Sequence, residues 1–261
     1  MLSSVLSKSV VDRGRATAIA TVLVVFYGGI AIVSYNALGN TMVELLANMP
    51  PALAALYGSN DGTPLGMAIG AIYSLIAPAV VLTYAIGGGT GAAIGEEMRG
   101  SMDLLLANPL SRPRVILSKF AVVLGGIVVL TAGTALGVFG ATLLTGNDMG
   151  GRNVLALSVM LVAFGWMFGS FAMALSGWVG RSSVGTGVAA AVAGVSWLVT
   201  TILAVDKTFA TIARYTPWYL YDGNDPMTNG IAPWSLLVML VATVVLTGLA
   251  VFGVSRRDLK G

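Results

Sequence analysis

The sequence predicts an all-α polytopic membrane protein with six transmembrane helices, and two observations support this fold class. Hydrophobic residues make up 56% of the chain and charged residues only 10%, against a usual charged share of about 25%. The charged residues also leave six uninterrupted windows, each of 24 to 34 residues, that contain no Asp, Glu, Lys or Arg. These windows are 16–43, 62–95, 120–147, 153–180, 182–205 and 226–255.

About 20 apolar residues suffice for a helix to cross the ~30 Å hydrocarbon layer, so each window is long enough for one span. We place the spans at 16–36, 64–92, 118–145, 153–177, 184–204 and 233–253, in a single domain that covers 1–261. We expect no separate soluble domain. The first apolar run is long enough to span, so we expect a retained helix and not a cleaved signal peptide. Cys and His are both absent, so we expect no metal site in this chain.

The basic residues predict the orientation of the chain. Six spans return both termini to one side, and 11 of the 14 basic residues then lie on that side. They are Lys8, Arg13, Arg15, Arg99, Arg112, Arg114, Lys119, Arg181, Arg256, Arg257 and Lys260. Because loops rich in Lys and Arg stay in the cytoplasm, we expect cytoplasmic termini and a multi-pass protein in the cell membrane of a prokaryote. These charges are scattered around the spans, so we do not expect nucleic-acid binding.

Three segments outside the spans are amphipathic or aromatic. Residues 1–15 alternate apolar and basic residues, which favours a helix on the inner membrane surface near anionic headgroups over a frayed tail. Residues 41–57 carry apolar residues at near-helical spacing, which indicates a short helix that lies on the outer interface or dips into the bilayer. In 205–232, Trp and Tyr are frequent, as in a membrane-interface belt or an aromatic gate.

Glycines occur at GxxxG spacing within the spans, where small residues let helix backbones approach closely in lipid. The pairs are Gly66/Gly70, Gly87/Gly91, Gly91/Gly95, Gly133/Gly137 and Gly165/Gly169. The run at 87–91, Gly-Gly-Gly-Thr-Gly, lacks the Gly-Lys-Ser/Thr ending of a phosphate-binding loop. We therefore interpret it as a close-packing segment or a flexible helix end.

The strip after the second span predicts a short helix along the inner surface, over 96–107. Glu96 and Glu97 would occupy its first turn, where acidic residues complement the helix dipole. Asn108 precedes a proline, which disfavours continuing the helix. One face of the predicted helix carries Met98, Met102 and Leu105. The helix would offer carboxylates and apolar side chains to a cytoplasmic partner, or it is a plain connector.

At this strip the chain resembles the permease subunits of ABC-2-type ATP-binding-cassette exporters. The family carries a Glu, a Gly-Ser/Thr pair, a Leu-rich turn and a Pro-x-Ser/Thr-Arg sequence after its second helix. The matching residues here are Glu96, Gly100, Ser101, the leucines at 104–106 and the Pro-Leu-Ser-Arg sequence at 109–112. Many relatives have a second acid where this chain has Met98, so either Glu96 or Glu97 is the carboxylate that would contact a partner.

Two further segments are similar to the family. Residues 252–258 resemble its closing Phe-x-Arg-Arg-Asp pattern with one extra residue before the arginines. Residues 216–230 also resemble a segment found in part of the family. The topology matches over the whole chain.

The resemblance implies a mechanism and partners. Two permeases, either two copies of this chain or this chain and a homologue, would form the membrane core, and two ATPase subunits would bind beneath. The predicted helix would be a coupling helix, and ATP and Mg²⁺ would be bound by the ATPase, with no cofactor in this chain. The residues implied in ATPase coupling are Glu96, Glu97, Met98, Arg99, Gly100, Met102, Asp103, Leu105 and Arg112.

Two other classes of function were weighed against an exporter permease. An ion-coupled secondary transporter is the main alternative. The charge-free windows argue against proton coupling, although sodium coupling through backbone and hydroxyl oxygens is compatible with them. An intramembrane enzyme would need a placed base or metal, and the chain has no His, no Cys and no acidic residue within its predicted spans.

The uncharged membrane interior suits a hydrophobic or amphipathic cargo such as a drug, a lipid or a peptide. Aromatic residues within the spans either line its path or pack against neighbouring helices and lipid. The leading candidates for a substrate path are Tyr27, Tyr73, Tyr84, Phe164, Trp166 and Phe168.

Overall fold

The computed structural model describes residues 2–50, 54, 63–98 and 111–256, and the secondary structure of this part is helical. Six of its helices are long and apolar enough to cross a membrane. They are Ser9–Leu38, Pro64–Gly95, Pro113–Leu144, Val154–Val179, Ser182–Val205 and Pro233–Arg256. The predicted all-α fold class with six transmembrane helices is therefore confirmed, while the orientation of the termini stays a prediction.

The described helices are labelled α1 to α10 in chain order. They are α1 (Leu2–Leu38), α2 (Asn40–Ala47), α3 (Pro64–Ala71, Ile72–Ile76 and Ala77–Met98), α4 (Arg112–Leu144), α5 (Val154–Val179), α6 (Ser182–Trp197, Leu198–Ile202 and Leu203–Val205), α7 (Lys207–Ala213), α8 (Pro217–Asp222), α9 (Pro226–Asn229) and α10 (Pro233–Arg256). The middle segments of α3 and α6 are π-helical turns.

Local sequence explains several helix boundaries. α3 begins at Pro64, and the Thr63 hydroxyl caps it by accepting a hydrogen bond from the Gly66 amide at 3.1 Å. α5 ends at Gly180, whose φ of 71° is a left-handed conformation that favours glycine. α7 begins after Asp206, whose carboxylate accepts from the Thr208 amide at 2.8 Å. That hydrogen bond lowers the pKa of Asp206.

The first helix differs from the prediction. The segment 1–15 was predicted as a helix separate from the first span, but α1 runs without interruption from Leu2 to Leu38. α2 supplies a short helix in the predicted outer segment 41–57, of which only the residues up to Pro50, and Ala54, are described. Whether either segment lies on a membrane surface stays a prediction.

The contacts between helices establish how the bundle runs. α3 and α5 are its most buried spans and run parallel, because Tyr73 meets Ser158 and Thr90 meets Ser176. α10 runs parallel to α5, and α1 runs antiparallel to α3. The start of α1 and the ends of α3, α5 and α10 therefore share one end of the bundle. We call this the terminal end and the opposite end, which holds α2 and α7–α9, the loop end.

Close helix packing occurs at some of the predicted glycine pairs but not at others. Gly133 and Gly137 lie against Thr21 and Val25 of α1, and an added Cβ at Gly137 would be 3.1 Å from the Val25 Cα. Gly165 and Gly169 of α5 pack in the same way against Val81 and Ala85 of α3, among other contacts. By contrast, Gly87 and Gly95 face open space, so the pairs Gly87/Gly91 and Gly91/Gly95 do not form close helix contacts among the described residues.

Candidate functional site

The structure describes part of the strip predicted to meet an ATPase, and this part lies at the terminal end. α3 extends to Met98, so Glu96 and Glu97 belong to the last turn of this helix, just beyond the candidate span that ends at Gly95, and do not begin a separate helix. This differs from the predicted helix start. Arg112 is the first residue of α4. The other residues implied in coupling lie outside the described residues: Arg99, Gly100, Met102, Asp103 and Leu105.

Two substrate-path candidates, Phe164 and Phe168, lie in one buried aromatic cluster with Trp218 and Tyr221, and a third, Tyr73, is joined to it by a hydrogen bond from Tyr221 to its carbonyl oxygen. Phe164 stacks on Tyr221 with ring centroids 5.2 Å apart, and it meets Trp218 and Phe168 edge-on at 5.3 and 4.9 Å. All five side chains are at most 4% exposed. Edge-on and offset contacts of this kind are the favoured aromatic geometries. In this conformation the cluster fills the interior of the chain, and substrate contact by these residues stays a prediction.

The same cluster decides between the two interpretations of the aromatic residues in 205–232. Trp218 and Tyr221 are buried inside the protein, so they are not part of a membrane-interface belt. Tyr215 is 87% exposed and fits the belt interpretation. The segment therefore divides between a buried face and an outward face, a division that composition alone does not reveal.

We call α7–α9 the cap, and a proline helps to explain how the cap is attached to the second span. Pro78 has no N–H, and the Ala77 amide donates to the Ile72 carbonyl, five residues back, so position 78 offers no amide to the Tyr73 carbonyl at the same spacing. The helix forms a π-helical turn over Ile72–Ile76 at this point, and such turns are frequent at functional sites. The Tyr221 hydroxyl donates to the Tyr73 carbonyl oxygen within this turn at 2.7 Å. The Tyr73 hydroxyl in turn shares a hydrogen bond of 2.8 Å with Ser158 of α5.

The cap also contains a carboxyl group with an altered pKa. Asp222 is half-buried at the end of α8. Burial, together with the negative charge of Asp225, raises the pKa of Asp222 to about 6. The cap is held to the start of α5 by a backbone hydrogen bond, in which the Asn153 amide donates to the Met227 carbonyl at 2.9 Å.

Two apolar recesses adjoin other aromatic side chains. A cavity of about 150 Å³ lies between α5, α6, α8 and α10. It is lined by Met167, Phe168, Phe171, Val192, Pro217, Ala242 and Leu246. A groove of about 540 Å³ runs between residues 25–34 of α1 and 136–144 of α4.

Tyr27 is 39% exposed on α1. The Trp166 indole donates to the Leu124 carbonyl at 3.1 Å and joins α5 to α4.

A polar cluster joins α1 to α3 in the half of the bundle nearer the terminal end. We call it the Arg13 cluster, and it consists of Arg13, Thr17, Tyr84, Gly88 and Gly91. Nη2 of Arg13 donates to the Gly88 carbonyl oxygen at 3.3 Å. One turn further along α1, the Thr17 and Tyr84 hydroxyls share a hydrogen bond of 2.9 Å. The substrate-path candidate Tyr84 therefore lies beside a cation.

Three glycines make the space for these side chains. A Cβ at Gly91 would lie 2.9 Å from Nη2 of Arg13, and a Cβ at Gly88 would lie 3.1 Å from Nη1. A Cβ at Gly126 of α4 would overlap the Tyr84 hydroxyl. The glycine run at 87–91 thus accommodates a guanidinium on one side, while Gly89 on another side packs against the backbone of Gly169.

The sequence predicts Arg13 on the membrane surface and gives no contact between Arg13 and the second span. The sequence does contain a signal for this contact, because Arg13 and Thr17 are four residues apart on α1, as are Tyr84 and Gly88 on α3. Residues at that spacing share a helix face. Which two faces meet, however, depends on helix pairing that spacing within one helix does not specify.

Comparison with known proteins identifies the kind of chain that carries these features. The profile of the family described as ABC-2 family transporter protein matches residues 7–259. No curated protein matches the chain. The matched range covers all six candidate spans and the connection between α3 and α4.

Proposed function

Since this chain belongs to the ABC-2 family of transporter proteins, we propose that it is the permease of an ATP-driven exporter for a hydrophobic or amphipathic cargo. The family makes it a membrane subunit of an ABC transporter and a multi-pass membrane protein. The observation that carries the proposal is the family match over residues 7–259. Drugs, lipids and peptides are the cargo classes that suit the largely apolar spans.

The power for transport comes from partner chains in this proposal. The sequence has no Gly-Lys-Ser/Thr phosphate-binding loop, so ATP and Mg²⁺ are bound by a separate ATPase. Two ATPase subunits act on a pair of permeases, formed by two copies of this chain or by this chain and a homologue. The ATPase docks at the terminal end, on the connection between α3 and α4.

The excess of basic residues at the terminal end supports a cytoplasmic location for it in a prokaryotic cell membrane. The docking strip and both termini then face the compartment that supplies ATP. Closure of the ATPase dimer pushes on the end of α3. Because α3 is buried against α1, α4 and α5, the push reaches the rest of the bundle.

The test compares carboxylates at opposite ends of the bundle. The permease and its copurifying ATPase are reconstituted in liposomes, and ATP hydrolysis is measured with and without the permease. The double variant Glu96→Ala/Glu97→Ala should lose most of the permease-dependent hydrolysis. Glu44→Ala, exposed on α2 at the loop end, is the matched control and should retain it.

Two results would contradict the proposal. One is unchanged permease-dependent hydrolysis in a double variant whose thermal unfolding matches that of the natural sequence. The other is uphill transport by the purified chain alone on an ion gradient, which would make it an ion-coupled secondary transporter.

A further inference from the structure

The Arg13 cluster places a cation inside a part of the bundle that is otherwise without charge. Gly88 and Gly91 belong to the charge-free window 62–95, and Val123, which also adjoins Gly88, belongs to the charge-free window 120–147. Gly88 lies seven residues before Gly95, the end of the candidate span, or about 10 Å along the helix axis. A long Arg side chain on the neighbouring helix holds its charged head between this level and the boundary of headgroups and acyl chains.

The guanidinium of Arg13 has more hydrogen-bond donors than its protein contacts use. Arginine carries five N–H groups, and the bond of 3.3 Å to the Gly88 carbonyl engages one of them. Across the part of the chain that the structure describes, no carboxylate forms an ion pair with Arg13. Among the described side chains and backbone groups, the partner of this half-buried charge is a carbonyl dipole, which compensates a charge poorly within a membrane.

The surroundings hold this cation in a defined place. The Thr17 hydroxyl donates to the Arg13 carbonyl at 3.0 Å and also bonds to Tyr84, which fixes this turn of α1 on α3. Gly88 and Gly91 leave open the volume that the guanidinium fills. An arginine held in one position can bind a phosphate through two parallel N–H···O bonds.

We propose that the Arg13 cluster binds the phosphate of an anionic amphiphile, with Arg13 as the residue that contacts the phosphate oxygens. The ligand chemistry is a phosphate oxyanion, and its depth in the bundle favours the headgroup of a membrane phospholipid over free phosphate. Basic sites between membrane helices bind anionic headgroups in this way. The site requires only that the chain spans a membrane, so it stands independently of ATP-driven export.

The experiment measures binding of fluorescent phosphatidylglycerol to the full-length chain, with its copurifying subunits, in a neutral detergent. Arg13→Gln should weaken binding by about tenfold, as expected for loss of a charge-assisted contact to phosphate. Arg13→Lys should be intermediate, because Lys keeps the charge but not the paired donors. Arg15→Gln is the matched control, since Arg15 is an exposed arginine on the same helix and should bind normally.

A second pair of variants leaves every charge in place. Gly91→Ala introduces a Cβ against Nη2 of Arg13 and should weaken phosphatidylglycerol binding. Gly87→Ala adds the same methyl group to the same helix where no atom lies within 4 Å, and it should bind normally. This pair tests the site even if Arg13→Gln does not fold.

The competitors identify the source of the phosphate. Displacement of the probe by unlabelled phosphatidylglycerol but not by inorganic phosphate supports a lipid headgroup, and displacement by inorganic phosphate supports the same oxyanion site filled by a free ion. Equal losses in Arg13→Gln and Arg15→Gln would overturn the proposal, because they would indicate diffuse attraction to the basic surface. Equal binding of zwitterionic phosphatidylcholine would overturn it too.

Discussion

At the residue scale, the hydrogen bond from Tyr221 to the Tyr73 carbonyl connects a surface segment to the interior of the second span. Pro78 contributes to this contact, because Tyr73 lies five residues before it, at the spacing of the π-helical turn, and a proline has no amide to donate. In a membrane, the Tyr73 carbonyl must be satisfied within the protein. The cap therefore supplies a hydrogen-bond donor that the backbone of α3 needs.

Removing the Tyr221 hydroxyl should destabilise the protein. Tyr221→Phe leaves the Tyr73 carbonyl buried without its 2.7 Å donor, which costs about 1–3 kcal/mol for an unsatisfied polar group. Thermal unfolding in detergent should occur at a lower temperature than for the natural sequence. Tyr215→Phe removes the hydroxyl of a side chain that is 87% exposed and should unfold normally. Equal unfolding temperatures for the two variants would contradict the role given to Tyr221.

The raised pKa of Asp222 predicts that the stability of the protein depends on pH. Its pKa is about 6 in the folded protein and 3.8 for the unperturbed group, so the folded state binds more protons between these values. Stability therefore falls as the pH rises from about 4 to 6 and stays lower above that range. Asp222→Asn, which stays neutral, should remove a penalty of about 1–3 kcal/mol at pH 7.5.

The measurement is the difference in unfolding temperature between Asp222→Asn and the natural sequence, at pH 7.5 and at pH 5. The difference should be positive at pH 7.5 and smaller at pH 5. Asp206→Asn is the control, because the pKa of Asp206 is lowered and this group is already ionised throughout that range. A stabilisation by Asp222→Asn that is the same at both pH values would show that ionisation of Asp222 is not its cause.

Single residues also show where sequence reasoning ends. Charge counting groups Arg13 with the basic residues of the terminal end, but it cannot show that Arg13 contacts Gly88 and Gly91. Tyr84 was recognised as a candidate only because it is an aromatic residue in a span. Trp218 and Tyr215, three positions apart, differ in burial because of how α8 packs, and their residue types do not reveal this.

At the scale of elements, hydropathy identifies the spans more reliably than it locates their ends. The predicted third span, 118–145, agrees with α4 at its far end, but α4 begins at Arg112. Likewise α3 continues past the predicted end at 92 to Met98. Charged residues at a helix end leave the hydrocarbon without breaking the helix, so hydropathy reports where lipid contact stops and not where the helix stops.

Glycine spacing has a similar limit, which one comparison within α4 can test. Gly133→Val should disrupt the packing of α4 on α1, because its Cβ would overlap the methyl group of Thr21. Overpacking of this kind costs about 1–3 kcal/mol. Gly125→Val is the control, because it adds the same β-branched side chain to the same helix at a position where no atom lies within 4 Å of the added Cβ. The two variants change helix propensity equally, so the difference between them reports packing. The unfolding temperature should be lower for Gly133→Val than for Gly125→Val. Equal unfolding temperatures would show that helix propensity, and not packing, causes the loss of stability.

At the scale of the whole molecule, the bundle presents two chemically different ends. The terminal end holds the start of α1, the end of α3 and the start of α4, together with most of the basic residues. The loop end holds α2 and the cap formed by α7–α9. The sequence predicts this division well, because six spans and a biased charge distribution are properties of the chain as a whole.

The orientation of these ends can be measured directly because the chain contains no Cys. Thr211→Cys places a thiol on the exposed surface of α7, and Ser255→Cys places one on the last turn of α10. In intact cells, a membrane-impermeant maleimide should label Thr211→Cys, and it should label Ser255→Cys only after permeabilisation. The reverse pattern would contradict cytoplasmic termini and an ATPase at the terminal end.

The six candidate spans are of unequal length, and the surrounding bilayer must adapt to them. The second contains 32 residues without a charged side chain, whereas the fourth and fifth contain 26 and 24, which corresponds to a difference of about 9 to 12 Å in axial rise. A bilayer of uniform thickness cannot match both lengths, so hydrophobic mismatch differs around the circumference of the protein. The second span must tilt or draw the lipid beside it into a thicker layer, which makes the protein sensitive to the acyl-chain length of its host membrane.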